Sequence, residues 1–300
     1  MKKKPTVTIG IPAYNEEANI GKLLKALIKQ KVKTSQLERI LIISDGSSDD
    51  TVKCASLIKD GRIEVVDRKK RLGGRQTKNE ILQRSTSDIL VILDADVLPS
   101  NTNFVEEISK PIIEKRASLV GADTIPLPAK GFVERTMAEG HLIKKRMYRR
   151  INQADNVYLC HGRARAFSKD LYKKICFPDD CPEDAYSYLY AKYYGHKFIY
   201  SIKANVFFRT ASSLEDKGSQ SKRFLTEIIN LKRYFPENFI RGEFKLPLNV
   251  IFTTFLFFFL RKPATTFFYL IWIIYLHLNR DKTKKISGKW QIATSSKSLQ

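Results

Sequence analysis

Two aspartates follow a strongly apolar segment at a spacing that can hold a divalent cation. Ile89–Leu93 consists of five apolar residues, and Asp94, Ala95 and Asp96 come directly after it. Strand side chains alternate between faces, so acids two positions apart project the same way, close to each other. Like charges that close are stable when water screens them, when one is protonated or when a cation lies between them. A solvated turn is the alternative for this pair taken alone.

Strands and helices alternate along the first third of the chain. Apolar runs predict four strands, at residues 6–11, 40–43, 63–66 and 89–93. Between them the sequence predicts one helix capped by Asn15, one that begins at about Thr51 and one at residues 73–84. This alternation predicts a parallel sheet with helical crossovers.

The polar residues after these strands are expected at one edge of the sheet. Tyr14 and Glu16 follow the first strand, Asp45 the second, and Asp94 and Asp96 the fourth. In parallel sheets ligands bind beyond the carboxyl ends of the strands, where the strand order switches. Acids after three separate strands are hard to explain as unrelated turns, whereas a nucleotide with a divalent metal explains them.

The pattern is less regular after about residue 120. Residues 131–151 are predicted to form a helix whose end carries crowded basic side chains, suited to a membrane surface or simply to solvent. The other predicted elements are a strand at residues 165–168, a helix at 183–194 and strands at 197–201 and 205–209.

The composition predicts an anionic partner. Lys and Arg number 53 against 31 Asp and Glu, a formal net charge of +22, which suits nucleotide phosphate, anionic lipid or nucleic acid. No usual nucleic-acid recognition module is visible, so no nucleic-acid partner is expected. The start of the sequence shows no secretory signal, which predicts a reducing cytoplasm. The spacing of Cys160, His161, Cys176 and Cys181 matches no zinc site, so core or surface thiols are expected.

Two apolar, aromatic-rich stretches near the end predict membrane association. They cover residues 246–260 and 264–278, and each is shorter than the ~20 residues of a perpendicular spanning helix. Basic residues flank them, which places both flanks in the cytoplasm by the positive-inside rule. A hairpin with Arg261 and Lys262 at its tip, or two interfacial helices, would satisfy this, and a soluble helical subdomain is the alternative.

Three motifs in this order resemble the family 2 glycosyltransferases. They are IPAYNEE at residues 11–17, SDGSSDDT at 44–51 and LDAD at 93–96, and the resemblance covers about residues 5–210. It implies an α/β fold of the GT-A type, a Rossmann-like mixed sheet flanked by helices, followed by a hydrophobic helical membrane segment. The expected domains are a catalytic domain at residues 1–215 and a membrane-associated tail at 216–300.

The resemblance also implies roles for individual residues. The donor would be a nucleotide diphospho-sugar, and Asp96, with Asp94 beside it, would bind Mg²⁺ or Mn²⁺. Asp45 would contact the base or ribose; Ser44 departs from the aspartate often found before it. Further nucleotide-sugar contacts would come from Pro12, Ala13, Tyr14, Glu16, Arg75, Lys78 and Ala95, with Asn79 beside them.

Two later elements resemble the family as well. Glu183 and Asp184 match its acidic catalytic pair, in which Asp184 would be the general base; acids at a helix start also complement the helix dipole. Gln220 and Arg223 lie in a Q-x-x-R-F sequence that resembles the Q-x-x-R-W element of membrane-attached members. There Arg223 would hold the leaving diphosphate, and an ordinary amphipathic helix residue is the alternative.

These residues together imply an inverting transferase. It would move a sugar to a hydroxyl on a lipid or glycan acceptor at the cytoplasmic face of the membrane, in contact with membrane lipids. One alternative is a polyprenyl-phosphate sugar synthase, whose phosphate acceptor needs no general base. Another is a non-catalytic basic protein that binds membranes.

Overall fold

The structure is a computed structural model that describes residues 3–215, 218 and 227–278. The strands are β1 (Thr6–Ala13), β2 (Gln36–Ser44), β3 (Ile63–Asp67), β4 (Ile89–Leu93), β5 (Val97–Pro99), β6 (Leu119–Pro126), β7 (Ala164–Ser168) and β8 (Phe198–Phe208). The helices are α1 (Glu17–Ile28), α2 (Thr51–Ser56), α3 (Gly74–Arg84), α4 (Phe104–Ile113), α5 (Phe132–Arg149), α6 (Lys169–Tyr172), α7 (Glu183–Tyr193), α8 (Glu237–Glu243), α9 (Leu248–Arg261) and α10 (Pro263–Leu278).

The described strands form one mixed sheet in the order β3-β2-β1-β4-β7-β6-β8-β5. The first four are parallel, as the alternation of strands and helices predicts. The strand β7 is antiparallel to both β4 and β6, and β5 is antiparallel to β8. The carboxyl ends of β1, β2, β4, β6 and β8 therefore share an edge with the amino end of β7, and loops from both halves meet there.

The acidic turn after β4 spans this edge. The strand ends at Leu93, so Asp94 and Asp96 lie in a turn, and strand alternation does not orient them as predicted. From there the chain leaves the middle of the sheet and reaches its far edge, where Val97 of β5 pairs with Phe208 of β8. The turn thus lies across the end of the sheet.

One element differs from its prediction. Instead of two strands at 197–201 and 205–209 there is a single strand, β8. Its pairing with β6 shifts register, from Ala122 opposite Ser201 to Asp123 opposite Asn205. Residues 202–204 therefore form a bulge inside a continuous strand.

Apolar residues pack on both faces of the sheet. One cluster lies beneath α1 and α4, and a second lies beneath α3 and α7 and includes Leu231, Phe235 and Ile240. Residues after 215 thus contribute to the main core, and the division into two domains stays a prediction. Of the cysteines, Cys160 and Cys181 are buried and Cys176 is exposed.

The last two helices form a hairpin that packs on α5. Met137 and Ile143 of α5 contact Tyr269, Trp272 and Leu276 of α10. Within the described residues, the 25-residue stretch Glu237–Arg261 is, by length and composition, long and apolar enough to cross a membrane. The chain is not helical throughout it, since α8 ends at Glu243 and α9 begins after Pro247.

Candidate active site

The first two sequence motifs are joined by side-chain hydrogen bonds. Asn15 has a left-handed backbone (φ 52°), so it precedes α1 instead of capping it as predicted. Its Oδ1 accepts the backbone N–H of Ser48 at 2.9 Å. The backbone N–H of Glu16 donates to Thr51 Oγ1 at 2.7 Å. The loops after β1 and β2 therefore form one rigid wall.

Asp45 organises the loop that leads into α3. Its carboxylate, 4% exposed, accepts the backbone N–H groups of Leu72 and Gly73 at 2.8 and 2.7 Å and Arg68 Nη1 at 3.0 Å. The backbone N–H of Asp45 donates to Ala13 O at 2.8 Å, at the end of β1. Asp45 thus holds the pocket wall, and its predicted contact with base or ribose stays a prediction.

Among the other residues predicted to contact the nucleotide, Tyr14 is partly exposed and the Arg71 guanidinium lies 3.9 Å from the centre of its ring. Glu16 is buried and accepts Asn19 Nδ2 at 3.0 Å, which gives it a structural contact within α1. Pro12 is half-buried, whereas Ala13 and Ala95 are buried. Arg71 has no counterpart in the sequence prediction and adds a cation at this pocket.

Lys78 connects the acidic turn to the predicted catalytic pair. Its side chain is 3% exposed, and its Nζ lies 3.3 Å from Asp94 Oδ1 and forms an ion pair with Glu183. Burial alone would lower the pKa of Lys78, but the charges of Asp94 and Glu183 outweigh burial and raise it. The lysine is therefore charged and fixed between two parts of the site that are far apart in sequence.

Glu183 and Asp184 differ in their surroundings. Burial favours the neutral form of Glu183, but Lys78 and Arg165 outweigh it and lower the pKa of this carboxyl. The pKa of Asp184 is raised, first by burial and then by the negative charge of Glu183. Asp184, which is only partly buried, is accordingly the better proton acceptor of the two.

Arg75 and Asn79 have structural contacts. Arg75 forms a buried ion pair with Glu227 and donates to the backbone oxygen of Asp179 at 2.5 Å. Asn79 bonds both backbone groups of Phe177, at 2.9 and 2.8 Å. Of the three polar α3 residues that the sequence points to, Lys78 contacts the acidic turn. Gln220 and Arg223 lie outside the described residues.

Arg163 is a site residue that sequence reasoning missed. Its backbone oxygen accepts the N–H of Asp94 at 2.9 Å, and its guanidinium lies over Phe208 at 3.9 Å. Burial lowers the pKa of Arg163, and the charges of Asp96, Asp94 and Asp184 oppose this. A basic residue at the start of a strand of small residues (Gly162, Ala164, Ala166) is the sequence signal that could have marked it.

The two acids of the turn fit a divalent cation that also binds phosphate. Asp94 and Asp96 are partly exposed, and the Asp94 side chain is 30% exposed, so their oxygens are reachable. In the described part of the chain no three His, Cys, Asp or Glu side chains are grouped as a metal cage. Mg²⁺ and similar ions commonly bind one or two carboxylates and complete their shell with water and substrate phosphates. The two aspartate carboxylates suit a metal ion bound in this way.

The family follows from the sequence match. The model of "Glycosyl transferase family 2" matches residues 8–176, which is more than half of the chain and includes β1 to β4, β7 and the acidic turn. The chain belongs to glycosyltransferase family 2. Its mixed sheet with flanking helices is that of GT-A proteins, so the predicted family and fold are confirmed.

Two curated proteins are similar to this chain over part of its length. Glycosyltransferase AglE of Haloferax volcanii is 32% identical over 121 residues, 40% of this chain and 39% of AglE. The undecaprenyl-phosphate 4-deoxy-4-formamido-L-arabinose transferase of Proteus mirabilis is 29% identical over 94 residues, 30% of this chain and 29% of that enzyme. The matches thus span two fifths or less of these relatives.

A solved structure is similar over most of the fold. The mannosyltransferase PcManGT from Pyrobaculum calidifontis, in complex with GDP-Man and Mn²⁺, aligns with a TM-score of 0.60 at 16% identity. The alignment covers 93% of this chain and 77% of that one. At 16% sequence identity, this structural similarity establishes that the two proteins share a fold.

Proposed function

We propose that this family 2 protein transfers a sugar from a nucleotide diphospho-sugar to an acceptor, with inversion at the anomeric carbon. The observation that carries the proposal is the convergence of acids from distant stretches of chain. Lys78 contacts both Asp94 and Glu183, and Arg163 faces Asp94, Asp96 and Asp184. Asp45 lies at the same edge, bonded to the end of β1 and to the start of α3, which carries Lys78.

In this proposal Asp184 is the general base for a hydroxyl acceptor. It takes the hydroxyl proton, the oxygen forms a bond to the anomeric carbon, and the bond from that carbon to the diphosphate oxygen breaks. The nucleoside diphosphate leaves with the electron pair. Glu183, predicted as part of the catalytic pair, positions Lys78 and stays ionised, and its charge raises the pKa of its neighbour.

The nucleotide lies against the wall formed by Tyr14, Asp45 and Arg71, with its diphosphate toward the acidic turn. Asp96 and Asp94 would hold Mg²⁺ or Mn²⁺, and such a cation would supply Lewis-acid stabilisation of the leaving diphosphate. Mn²⁺ in PcManGT supports a divalent metal. Arg223 is predicted to assist at the same place.

The acceptor is proposed to be lipid-linked at the cytoplasmic face of a membrane. The α9–α10 hairpin exposes large apolar side chains: Leu248, Phe252, Leu256, Phe259, Leu260, Phe267, Phe268, Ile271, Ile274, Tyr275 and Leu278. Lys262 at the hairpin tip pairs with Glu139 of α5 at 2.7 Å, so the tip lies on the protein. This favours two helices lying in the membrane interface over a hairpin that penetrates the bilayer.

A second candidate is transfer to a lipid phosphate, which needs no general base. The relative from Proteus mirabilis is named for undecaprenyl phosphate, which supports it. Asp184→Asn distinguishes the two: it should abolish transfer to a hydroxyl and leave transfer to a phosphate largely intact. The activity of family members makes a non-catalytic role the weakest of the three alternatives.

The test is metal-dependent release of nucleoside diphosphate. The purified full chain in detergent is incubated with a panel of UDP- and GDP-sugars, with Mn²⁺, Mg²⁺ or EDTA. Release of nucleoside diphosphate should require the metal. Asp96→Ala should reduce the rate of release by about 10²-fold or more, which is the typical loss when a preorganised group that stabilises charge in the transition state is removed. The control is Arg116→Ala, an exposed residue that pairs with Glu114. Full turnover by Asp96→Ala refutes the proposal.

A further inference from the structure

We propose that the cleft contains a phosphate-binding subsite for the acceptor, formed by Arg163, His161 and Lys145 on the side of Asp96 away from the nucleotide wall. The inference rests on the proposed glycosyl transfer, because it states what the acceptor of that reaction carries. It deepens the proposal by giving the acceptor a chemical class.

The position of Arg163 separates it from the donor pocket. The nucleotide wall lies at the ends of β1 and β2, on one side of β4, whereas Arg163 directly precedes β7, on the other side. Its guanidinium lies over Phe208, and Phe208 pairs with Val97, the residue after Asp96. Arg163 is thus next to the acidic turn and faces the space where an acceptor must approach the donor sugar.

Arg163 has hydrogen-bonding capacity to offer. Its side chain is half-buried, yet among residues 3–215, 218 and 227–278 it forms no hydrogen bond and no ion pair, only the contact with Phe208. A guanidinium has five N–H donors in a fork that matches phosphate oxygens. A partly buried cation with unmet donors in a cleft is suited to an anion that arrives with a ligand.

The groups near Arg163 can supply further hydrogen-bond donors to an anion. His141 and His161 lie with ring centroids 6.0 Å apart, and Lys145 Nζ lies at 2.5 Å from Asp123 Oδ1 and 3.2 Å from Thr124 O. Burial, followed by the charges of Arg163 and Lys145, lowers the pKa of His161 to about 3. The neutral imidazole can still donate one hydrogen bond to an anion.

An apolar cavity lies along α5, the helix that carries Lys145, and favours a phosphate that is borne by a lipid. The cavity has a volume of about 570 Å³ and is lined by α5 and α10 through residues such as Met137, Phe268, Ile271 and Trp272. His141 follows Met137 by one turn of α5, a rise of about 6 Å. A phosphate at the basic groups can therefore carry an alkyl chain toward the cavity and the exposed hairpin.

The test compares ligands that differ in one feature. Calorimetry on the full chain in detergent measures binding of decyl phosphate, decanol and inorganic phosphate, and separately of a nucleoside diphosphate with Mn²⁺. Decyl phosphate should bind at least about tenfold more tightly than decanol, since charge-assisted hydrogen bonds are strong. Arg163→Gln should remove that advantage, with Arg163→Lys intermediate, and should lower the affinity for decyl phosphate by a larger factor than the affinity for nucleoside diphosphate. Arg116→Gln, which removes an exposed arginine, is the matched control.

A second pair of variants tests the binding of the phosphate group and of the alkyl chain separately. Ile271→Gln, at a half-exposed position lining the cavity, should weaken decyl phosphate and leave inorganic phosphate unchanged. His161→Glu, which places an acid among cations, should repel both phosphates, and it tests the subsite should Arg163→Gln fail to fold.

The other possible results of the binding measurements each contradict a different part of the proposal. Equal binding of decanol and decyl phosphate overturns the subsite, and so does a parallel loss of nucleoside diphosphate affinity in Arg163→Gln, which would assign this arginine to the donor. Inorganic phosphate that binds as tightly as decyl phosphate supports the subsite and overturns the lipid source. Failure of the wild-type chain to bind nucleoside diphosphate with Mn²⁺ contradicts the proposed function itself, whatever the phosphate results.

Discussion

In the parallel half of the sheet, β3-β2-β1-β4, the functional side chains lie within a few residues of the strand that positions them. In the other half, β7-β6-β8-β5, they come from loops, a helix and strands that are far apart in sequence. Asp45 directly follows β2. Arg163, by contrast, lies beside Asp94, about 70 residues earlier in the chain, because β7 runs antiparallel next to β4.

The difference indicates what each half recognises. The first half is a rigid wall built from short motifs that bond to one another, as Asn15 does to Ser48. Such a wall suits a ligand that is constant across a family, here the nucleotide. The second half is assembled by tertiary contacts and can vary with the acceptor. Lys78 is the physical link between the halves, and it is the first place to test them.

Lys78→Met should have the largest effect. It leaves Glu183, 6% exposed, with Arg165 as its remaining ion-pair partner among the described residues, and breaking a buried ion pair costs about 3–5 kcal/mol. Chemical denaturation should therefore show a lower free energy of unfolding. Lys53→Met, at a residue whose side chain is 70% exposed, is the control and should change stability by less than about 0.5 kcal/mol.

The double variant Lys78→Met/Glu183→Gln sharpens this result. Because it removes both charges, it should recover part of the loss. A single variant as stable as the wild type would mean that the two halves are not coupled through this lysine.

Asp45→Asn should have the next largest effect, confined to the nucleotide half. The amide nitrogen would face one of the two backbone N–H groups that the carboxylate accepts, which leaves a buried donor unpaired at a cost of about 1–3 kcal/mol. The KM for the donor should rise while the KM for the acceptor stays. Asp50→Asn, with a side chain 60% exposed, is the control. An equal rise in both KM values would contradict independent halves.

The sequence predicts the parallel half well because its signals are local. The predicted strand at residues 89–93 is β4, and the helices at Thr51 and at residues 73–84 are present as α2 and α3. Each combines an apolar run with a turn or cap signal nearby, so no distant contact is needed to recognise it.

The second half was predicted less well for a physical reason. The strand β6 contains Gly121, Asp123 and Thr124, which resemble a loop, yet all three are buried between neighbouring strands. The helix α4 contains Pro111, which argues against a helix in sequence alone. The role of Lys78 depends on Glu183, 105 residues away, and no local pattern reports such a contact.

The pH dependence of activity should show how the acidic pair is tuned. Asp184 must be deprotonated to act as a base, and burial and the charge of Glu183 raise its pKa, so kcat/KM should fall as pH decreases through that raised value. Glu183→Gln removes the negative charge next to Asp184. The fall of kcat/KM at low pH should then move to lower pH by up to about one unit, which corresponds to an interaction of about 1.4 kcal/mol. Glu114→Gln, at the surface, should leave it in place. A fall that moves to higher pH would contradict the assignment.

Tyr200→Phe should have the smallest effect, and it probes the second half alone. The Tyr200 hydroxyl donates to Asp123 Oδ1 at 2.5 Å, and Asp123 also pairs with Lys145. Losing one hydrogen bond costs about 0.5–1.5 kcal/mol, and the lysine still satisfies the carboxylate. Because Asp123 then attracts Lys145 more strongly, the acceptor KM should rise while the donor KM stays constant in initial-rate measurements. A change in the donor KM instead would mean that the β6–β8 network acts on the nucleotide, and that the two halves of the sheet do not divide donor from acceptor.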